Sequence, residues 1–132
     1  MIEVGTQLPQ RVFQIDRALL KRYADASGDQ NPIHPDQTFA LNVGLPNVIA
    51  HGMLTMGLVG QYVADWAGGS AQVKEFSARF TKPVIVPEGV QVDLTVSATV
   101  GEVMPDGAIR LDLIATSAGV KVLGMAKAIV VK

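Results

Sequence analysis

The sequence predicts an α+β domain in which one antiparallel β-sheet wraps a long apolar helix. Three observations carry that expectation. Between residues 52 and 66 the apolar residues Met53, Leu54, Met56, Leu58, Val59, Tyr62, Val63 and Trp66 run almost all the way round a helix. Only Gln61 and Asp65 are strongly polar there, as in a helix buried within its domain. Downstream the period changes to two: Val90, Val92, Leu94, Val96, Ala98 and Val100 alternate with Gln91, Asp93, Thr95, Ser97 and Thr99, the pattern of a half-buried strand. Near the C-terminus Gly124, Ala126 and Ala128 share one strand face, where missing side-chain bulk lets a sheet approach a helix closely.

The remaining elements follow in order. Residues 10–15 read as a short first strand. Asp16 is placed to cap a helix carrying Leu19, Leu20, Tyr23 and Ala24, and Gly28 to stop it. Asn31-Pro32 and His34-Pro35 make residues 29–35 a shaped loop, because proline pushes its predecessor out of the helical region. Asp36 caps a second short helix toward Val43, with Gly44 as its stop, and Pro46 leads into Val48-Ile49-Ala50. After the long helix Phe76, Ala78 and Phe80 form a strand whose following prolines, Pro83 and Pro87, suit a sheet edge or a bulge. Pro105-Asp106-Gly107 closes a hairpin onto a strand with Ile109, Leu111, Leu113 and Ala115 on one face, and residues 117–119 make the next turn. In the last strand Met125, Ile129 and Val131 fill the face opposite the small residues, and the central helix is set against the small face.

Composition narrows the functional classes. At 132 residues, without repeats, low-complexity tracts or linkers, the chain reads as one domain spanning 1–132. Its 48% apolar and 17% charged content is that of a folded globular protein. Eleven Lys and Arg against twelve Asp and Glu give a net charge of -1 without a basic run, so nucleic acid is not an expected partner. The absence of cysteine excludes disulfides, thiolate metal sites and a cysteine nucleophile. The first residues, MIEVGTQLPQRVFQID, lack a basic region followed by an apolar run. No stretch approaches the roughly 20 apolar residues of a membrane span, and the expected location is cytoplasmic, with no membrane partner.

The chemistry concentrates in Tyr23-Ala-Asp-Ala-Ser27-Gly28-Asp29-Gln-Asn31-Pro32-Ile-His34, where a carboxylate and an imidazole lie five residues apart in a proline-stiffened loop. Taken alone, Asp29 and Asn31 are equally at home as turn residues bonding nearby amides, and His34 as a surface or core histidine. Gly52, at the N-terminus of the long helix, offers an amide favoured by the helix dipole and no side chain to obstruct an anion, or is an ordinary helix-start glycine. His51 with the His34-x-Asp36 pair makes too thin a ligand set for a metal, and no metal or other cofactor is expected. Tyr62 and Trp66 with Met53 and Met56 could line an acyl tunnel, but at helical spacing they read first as core.

The run Ser27-Gly28-Asp29-x-Asn31-Pro32-Ile33-His34 resembles the motif of the MaoC-like, (R)-specific enoyl-CoA hydratase family, Ser/Thr-Gly-Asp-x-Asn-Pro-Ile/Leu-His, at every position. The resemblance continues through Ala50-His51-Gly52-Met53-Leu54 and Phe80-Thr81-Lys82-Pro83-Val84, and so covers most of the chain. Within the family, NPIH followed by IAHGMLTMG is most similar to the catalytic subunit of actinobacterial (3R)-hydroxyacyl-thioester dehydratases of fatty-acid or mycolic-acid elongation. The resemblance implies a hot-dog fold and reversible hydration of trans-2-enoyl thioesters to (3R)-3-hydroxyacyl thioesters. It implies that Asp29 and His34 hold and activate one water, with Gly52 the candidate donor to the thioester oxygen, and that Asn31 and Ser27 are supporting site residues, Asn31 either bracing the loop or touching substrate. The implied partners are an enoyl or 3-hydroxyacyl thioester of CoA or acyl carrier protein, and a second hot-dog subunit in a homodimer or heterodimer.

Two other readings are open on the same fold. A thioesterase would need an acid on or near the central helix, and the only one between His51 and Gly68 is Asp65, at the far end. A non-catalytic acyl-binding subunit would not need Asp29, Asn31, His34 and Gly52 all intact. Arg79 and Lys82, near the motifs, do not distinguish CoA from acyl carrier protein.

Overall fold

The computed structural model describes residues 2–132. Strand β1 (Arg11–Ile15) leads into helix α1 (Arg17–Ser27), the shaped loop, the short helix α2 (Gln37–Asn42) and the long helix α3 (Gly52–Ala67). After a 3-10 turn at Ser70–Gln72 come β2 (Val73–Phe80), β3 (Val92–Val103), β4 (Ile109–Ser117), β5 (Val120–Lys121) and β6 (Leu123–Val130). The strands form one antiparallel sheet in the order β1-β3-β4-β6-β2, with β5 paired to β4.

Local chemistry sets the element ends. The Asp16 side chain accepts the Leu19 N–H at 2.8 Å and starts α1. Gly28, at φ 82°, ends it by donating its N–H to the Ala24 carbonyl. Asp36 caps α2 in the same way through the Phe39 N–H. Asp106 in the β3–β4 turn accepts the Ala108 N–H, and Gly107 supplies a positive φ of 89°.

The core lies between α3 and the concave face of the sheet. Val59 and Val63 of α3 are fully buried, with Leu54, Tyr62 and Ala67 beside them. Leu94, Val96, Ala98 and Val100 of β3 and Leu111, Leu113 and Ala115 of β4 supply the opposing surface, so the alternation read from sequence is the alternation of burial. In β6, Ala126 and Ala128 are buried as expected, but Gly124 is only partly so. The β2–β6 register shifts between Ser77 and Arg79, and Met125 there adopts a φ of 48°. This bulge turns Met125 out to solvent rather than into an opposite face.

Strand β2 is an edge strand with a bulge, as its neighbouring prolines suggested. It packs against α3 where Gly60 leaves room for Phe76: a Cβ at Gly60 would stand 3.2 Å from that ring. Helix α3 departs from expectation in one respect. Gly52, Met53, Gly57, Gln61 and Asp65 are exposed, Met53 by 60%, because a single sheet covers only one side of a helix. Tyr62 is core, its hydroxyl donating to the Pro9 carbonyl at 2.8 Å. Trp66 lies under the Lys132 ammonium at the end of the helix.

Two short pairings were not legible beforehand. Residues 5–8 continue the edge beyond β1, with Leu8 N–H donating to the Ala98 carbonyl. Val48, Ile49 and Ala50 pair with Val84, Ile85 and Val86 through 2.8 Å bonds from Ala50 N–H to the Val84 carbonyl and from Val86 N–H to the Val48 carbonyl. Arg17 ties α1 to this second pairing, donating to the Val86 carbonyl and to Asn47.

Candidate active site

The loop between α1 and α2 is folded by its own polar side chains. Ser27 Oγ accepts the Asp29 N–H at 3.2 Å, Asp29 Oδ1 accepts the Asn31 N–H at 3.1 Å, and Asn31 Oδ1 accepts the Ile33 N–H at 3.2 Å. Each bond reaches two residues on, the span of a side-chain-closed turn. Ser27 and Asn31 therefore brace the loop, whereas Asp29 spends one carboxylate oxygen on it and keeps the other. The backbone then turns again, with His34 N–H donating to the Asn31 carbonyl and Asp36 N–H to that of Pro32.

This folding carries the His34 ring inward, to 7% exposure, with Nδ1 2.7 Å from the Ile49 carbonyl. A carbonyl only accepts, so Nδ1 carries the hydrogen and Nε2 presents the lone pair. Nε2 has no protein partner among the described residues, yet it is not among their buried unpaired atoms, so it is open to a cavity.

Two cavities meet at His34. One, of about 350 Å³, is lined by Leu20, Ala24, Asp25, Asp29, His34 and His51 among others. The second, of about 430 Å³, is lined by His34, Ile49, Gly52, Thr55, Phe80 and Lys82 among others. Asp29 and His34 thus share one cavity, and Gly52 and His34 the other. Arg79 lines neither. Gly52 opens α3, and its N–H has no acceptor among the described residues. A Cβ on Gly52 would stand 3.2 Å from the Phe80 ring, so the bare glycine lets that ring lie against the start of α3.

Beneath the pair lies His51, 1% exposed and stacked on His34 with ring centroids 3.8 Å apart and planes 24° from parallel. Burial, reinforced by the neighbouring His34, holds its basicity below the ordinary histidine value of 6.5, so the ring is neutral at neutral pH. Asp29, His34 and His51 bring one potential metal-ligand atom each within 4.8 Å of one another. Each imidazole, however, has one nitrogen facing a carbonyl, and the other nitrogen of His51 is sealed from solvent. That leaves the Asp29 carboxylate and His34 Nε2 as the open donors. Sequence reasoning did not find the Ile49 carbonyl, which is backbone and carries no residue signature, nor the packing of Phe80 over Gly52. The His51-Gly52 pair was visible as a motif, but its stacking was not.

An antiparallel sheet wrapped around one long helix, with a carboxylate and an imidazole in the loop before it, is the architecture of a hot-dog domain. Residues 3–115 match the MaoC-like domain family, and the chain belongs to that family. It is 40% identical over 79 residues to 3-hydroxyacyl-thioester dehydratase X of Mycobacterium tuberculosis, a match covering 60% of this chain and 27% of the relative. It is 38% identical over 107 residues to dehydratase Y of the same organism, covering 79% of this chain and 34% of the relative. The chain thus spans about a third or less of the length of these two relatives. The structure superposes on the unliganded (R)-hydratase PhaJ1 of Pseudomonas aeruginosa with a TM-score of 0.83 and 30% identity, covering 98% of this chain and 82% of that one. Among the described residues no helix is long and apolar enough to cross a membrane.

Proposed function

We propose that this chain catalyses the reversible hydration of trans-2-enoyl thioesters to (3R)-3-hydroxyacyl thioesters, with Asp29 and His34 sharing one water. The observation that carries the proposal is the bond from His34 Nδ1 to the Ile49 carbonyl, which leaves Nε2 as the free nitrogen of a ring that lines the same cavity as Asp29. In the hydration direction the water oxygen forms a bond to C3 as Nε2 of His34 takes one of its protons. The Asp29 carboxylate holds the other water hydrogen. The electron pair of the C2=C3 bond moves toward the thioester oxygen, where the Gly52 N–H at the positive end of α3 receives the growing charge. The proton then passes to C2, and dehydration retraces these steps. A neutral imidazole suits both directions near neutral pH.

The similarity to dehydratases X and Y and to an (R)-hydratase supports this reading. The thioesterase alternative loses its acid: Asp65 lies thirteen residues from Gly52, about 20 Å along a helix, and is paired with Arg11 at 2.6 Å. Lys82 lines the cavity with Gly52, and its positive charge would suit the phosphate of the phosphopantetheine arm that CoA and acyl carrier protein share. A second hot-dog subunit, identical or not, is the partner that the open β2 edge and the uncovered face of α3 call for.

The test is to follow the loss of conjugated-enoyl absorbance with crotonyl-CoA, with chiral analysis of the product. Asp29→Asn and His34→Ala are each expected to lower kcat by about 10²- to 10⁴-fold, the usual worth of a positioned acid or base. Release of free CoA without a hydroxyacyl product would replace hydration with hydrolysis.

A further inference from the structure

His51 is too polar for the place it occupies to be filler. Its ring is 1% exposed, and Nδ1 is buried without a partner, a loss that an apolar side chain would avoid. Nor is it a helix cap: it holds the N-cap position of α3, but its side chain makes no capping bond, and the end amides of Leu54 and Thr55 are met by its carbonyl. What the side chain does touch is the proposed acid/base pair. Nε2 lies 3.4 Å from the Asp29 carbonyl, and because that oxygen only accepts, Nε2 carries the hydrogen. One ring contact is the stack on His34, and another is Tyr23 of α1, with centroids 4.7 Å apart.

We propose that His51 is a positioning residue for hydration, holding the Asp29 backbone through Nε2–H and the His34 ring by stacking, so that both groups face one water. The proposal rests on the hydratase reading above. The two nitrogens of the pair are then set by two carbonyls: Ile49 fixes the hydrogen on Nδ1 of His34, and Asp29 fixes it on Nε2 of His51. Only His34 presents a lone pair to the cavity. Nε2 of His51 faces the Asp29 carbonyl and Nδ1 is sealed from solvent, so its effect passes through its neighbours.

Two substitutions separate the functions of the ring. His51→Phe keeps a flat ring against His34 and loses the donor. His51→Gln keeps a donor at the Nε2 position and loses the stack. Each is expected to lower kcat by about ten- to a hundredfold with KM little changed, as for a small misplacement of reacting groups. In an Asp29→Asn background His51→Phe, which loses only the bond to residue 29, is expected to cost far less, whereas His51→Gln, which loses the stack on His34, is expected to keep its cost. The chain has two histidines, so long-range ¹H–¹⁵N spectra show two rings. The expected spectrum has one Nδ1–H ring and one Nε2–H ring, with the Nδ1–H signature of His34 lost or averaged in His51→Gln, which removes the stack that holds the ring. If the phenylalanine variant does not fold, the glutamine variant carries the test. Unchanged kcat in folded variants of an active enzyme would overturn the proposal. So would an unaltered His34 signature in His51→Gln, whether or not the unmodified chain is active. An unmodified chain that fails to hydrate enoyl-CoA would instead count against the hydratase reading, leaving the spectra to decide on His51.

Discussion

Gly52, the proposed donor to the thioester oxygen, has no side chain, so what it contributes comes from its amide and its missing Cβ. Its amide is the first of α3 and has no acceptor among the described residues, and its missing Cβ is the gap that Phe80 closes. The two contributions can be separated. Gly52→Ala adds the Cβ and keeps the N–H. Gly52→Pro adds a Cβ as well and removes the donor, at a helix position where proline is well tolerated and after a residue, His51 at ψ 131°, whose backbone already suits a following proline. Alanine is expected to lower kcat modestly as the half-exposed Phe80 ring gives way. Proline is expected to lower it by about a further 10²- to 10³-fold, the worth of one oxyanion donor, with a similar melting temperature. Equal kcat in the two variants would remove the amide from the mechanism. At this scale Asp29, His34 and Gly52, the proposed site residues, stood out through the motif they share with the family, because side-chain type and spacing alone left turn, core and helix-start readings open. Ile49 and His51 act through a backbone oxygen and a ring stack, which depend on the fold bringing residues 15 and 17 positions from His34 against it, and no local pattern encodes that.

Elements were legible where a rule of short range governs them. Asp16 shows the physics: the Leu19 amide, and next the Gln91 side chain, hold its carboxyl below the ordinary 3.8, so the ionised form is the one that caps α1. A depressed carboxylate stabilises the fold fully above its unfolded value and loses that contribution as pH falls through its folded value. Asp16→Ala is therefore expected to lower the melting temperature by a few degrees at neutral pH, and the gap to the parent chain is expected to narrow below pH 3.8. Because Asp16 lines neither cavity at His34, kcat is expected to stay within about twofold, in keeping with a change remote from the reacting groups. A gap that persisted undiminished in acid would mean that the side chain stabilises by packing rather than as an anion. Where pairing of distant segments decides, the sequence was silent. The bulge at Met125 and the pairing of Val48–Ala50 with Val84–Val86 are settled by which strands lie side by side.

At the scale of the whole molecule, the apolar pattern of α3 says more than one chain satisfies. Its sequence is apolar nearly all round, yet Met53 stands exposed beside Gly52, and Phe80 on β2 is exposed as well. The eight-residue β2 pairs with β6 on one side and with no strand on the other among the described residues. An open edge of that length next to uncovered apolar side chains is a surface that a second chain stabilises. A β2–β2 pairing across a two-fold axis would join two sheets and cover the outer side of α3. Ser77 lies near the middle of β2 and is exposed, so in such a pair the two copies of residue 77 come close together. The unmodified chain is expected to sediment at twice its 14.0 kDa, and Ser77→Asp, by facing like charges across the new ladder, to shift it toward single chains at micromolar concentration. A dimer indifferent to Ser77→Asp would place the interface elsewhere. A single-chain species in the unmodified protein would mean that the covering partner is a different hot-dog subunit, and hydration measured with and without that partner would then show which chain completes the site.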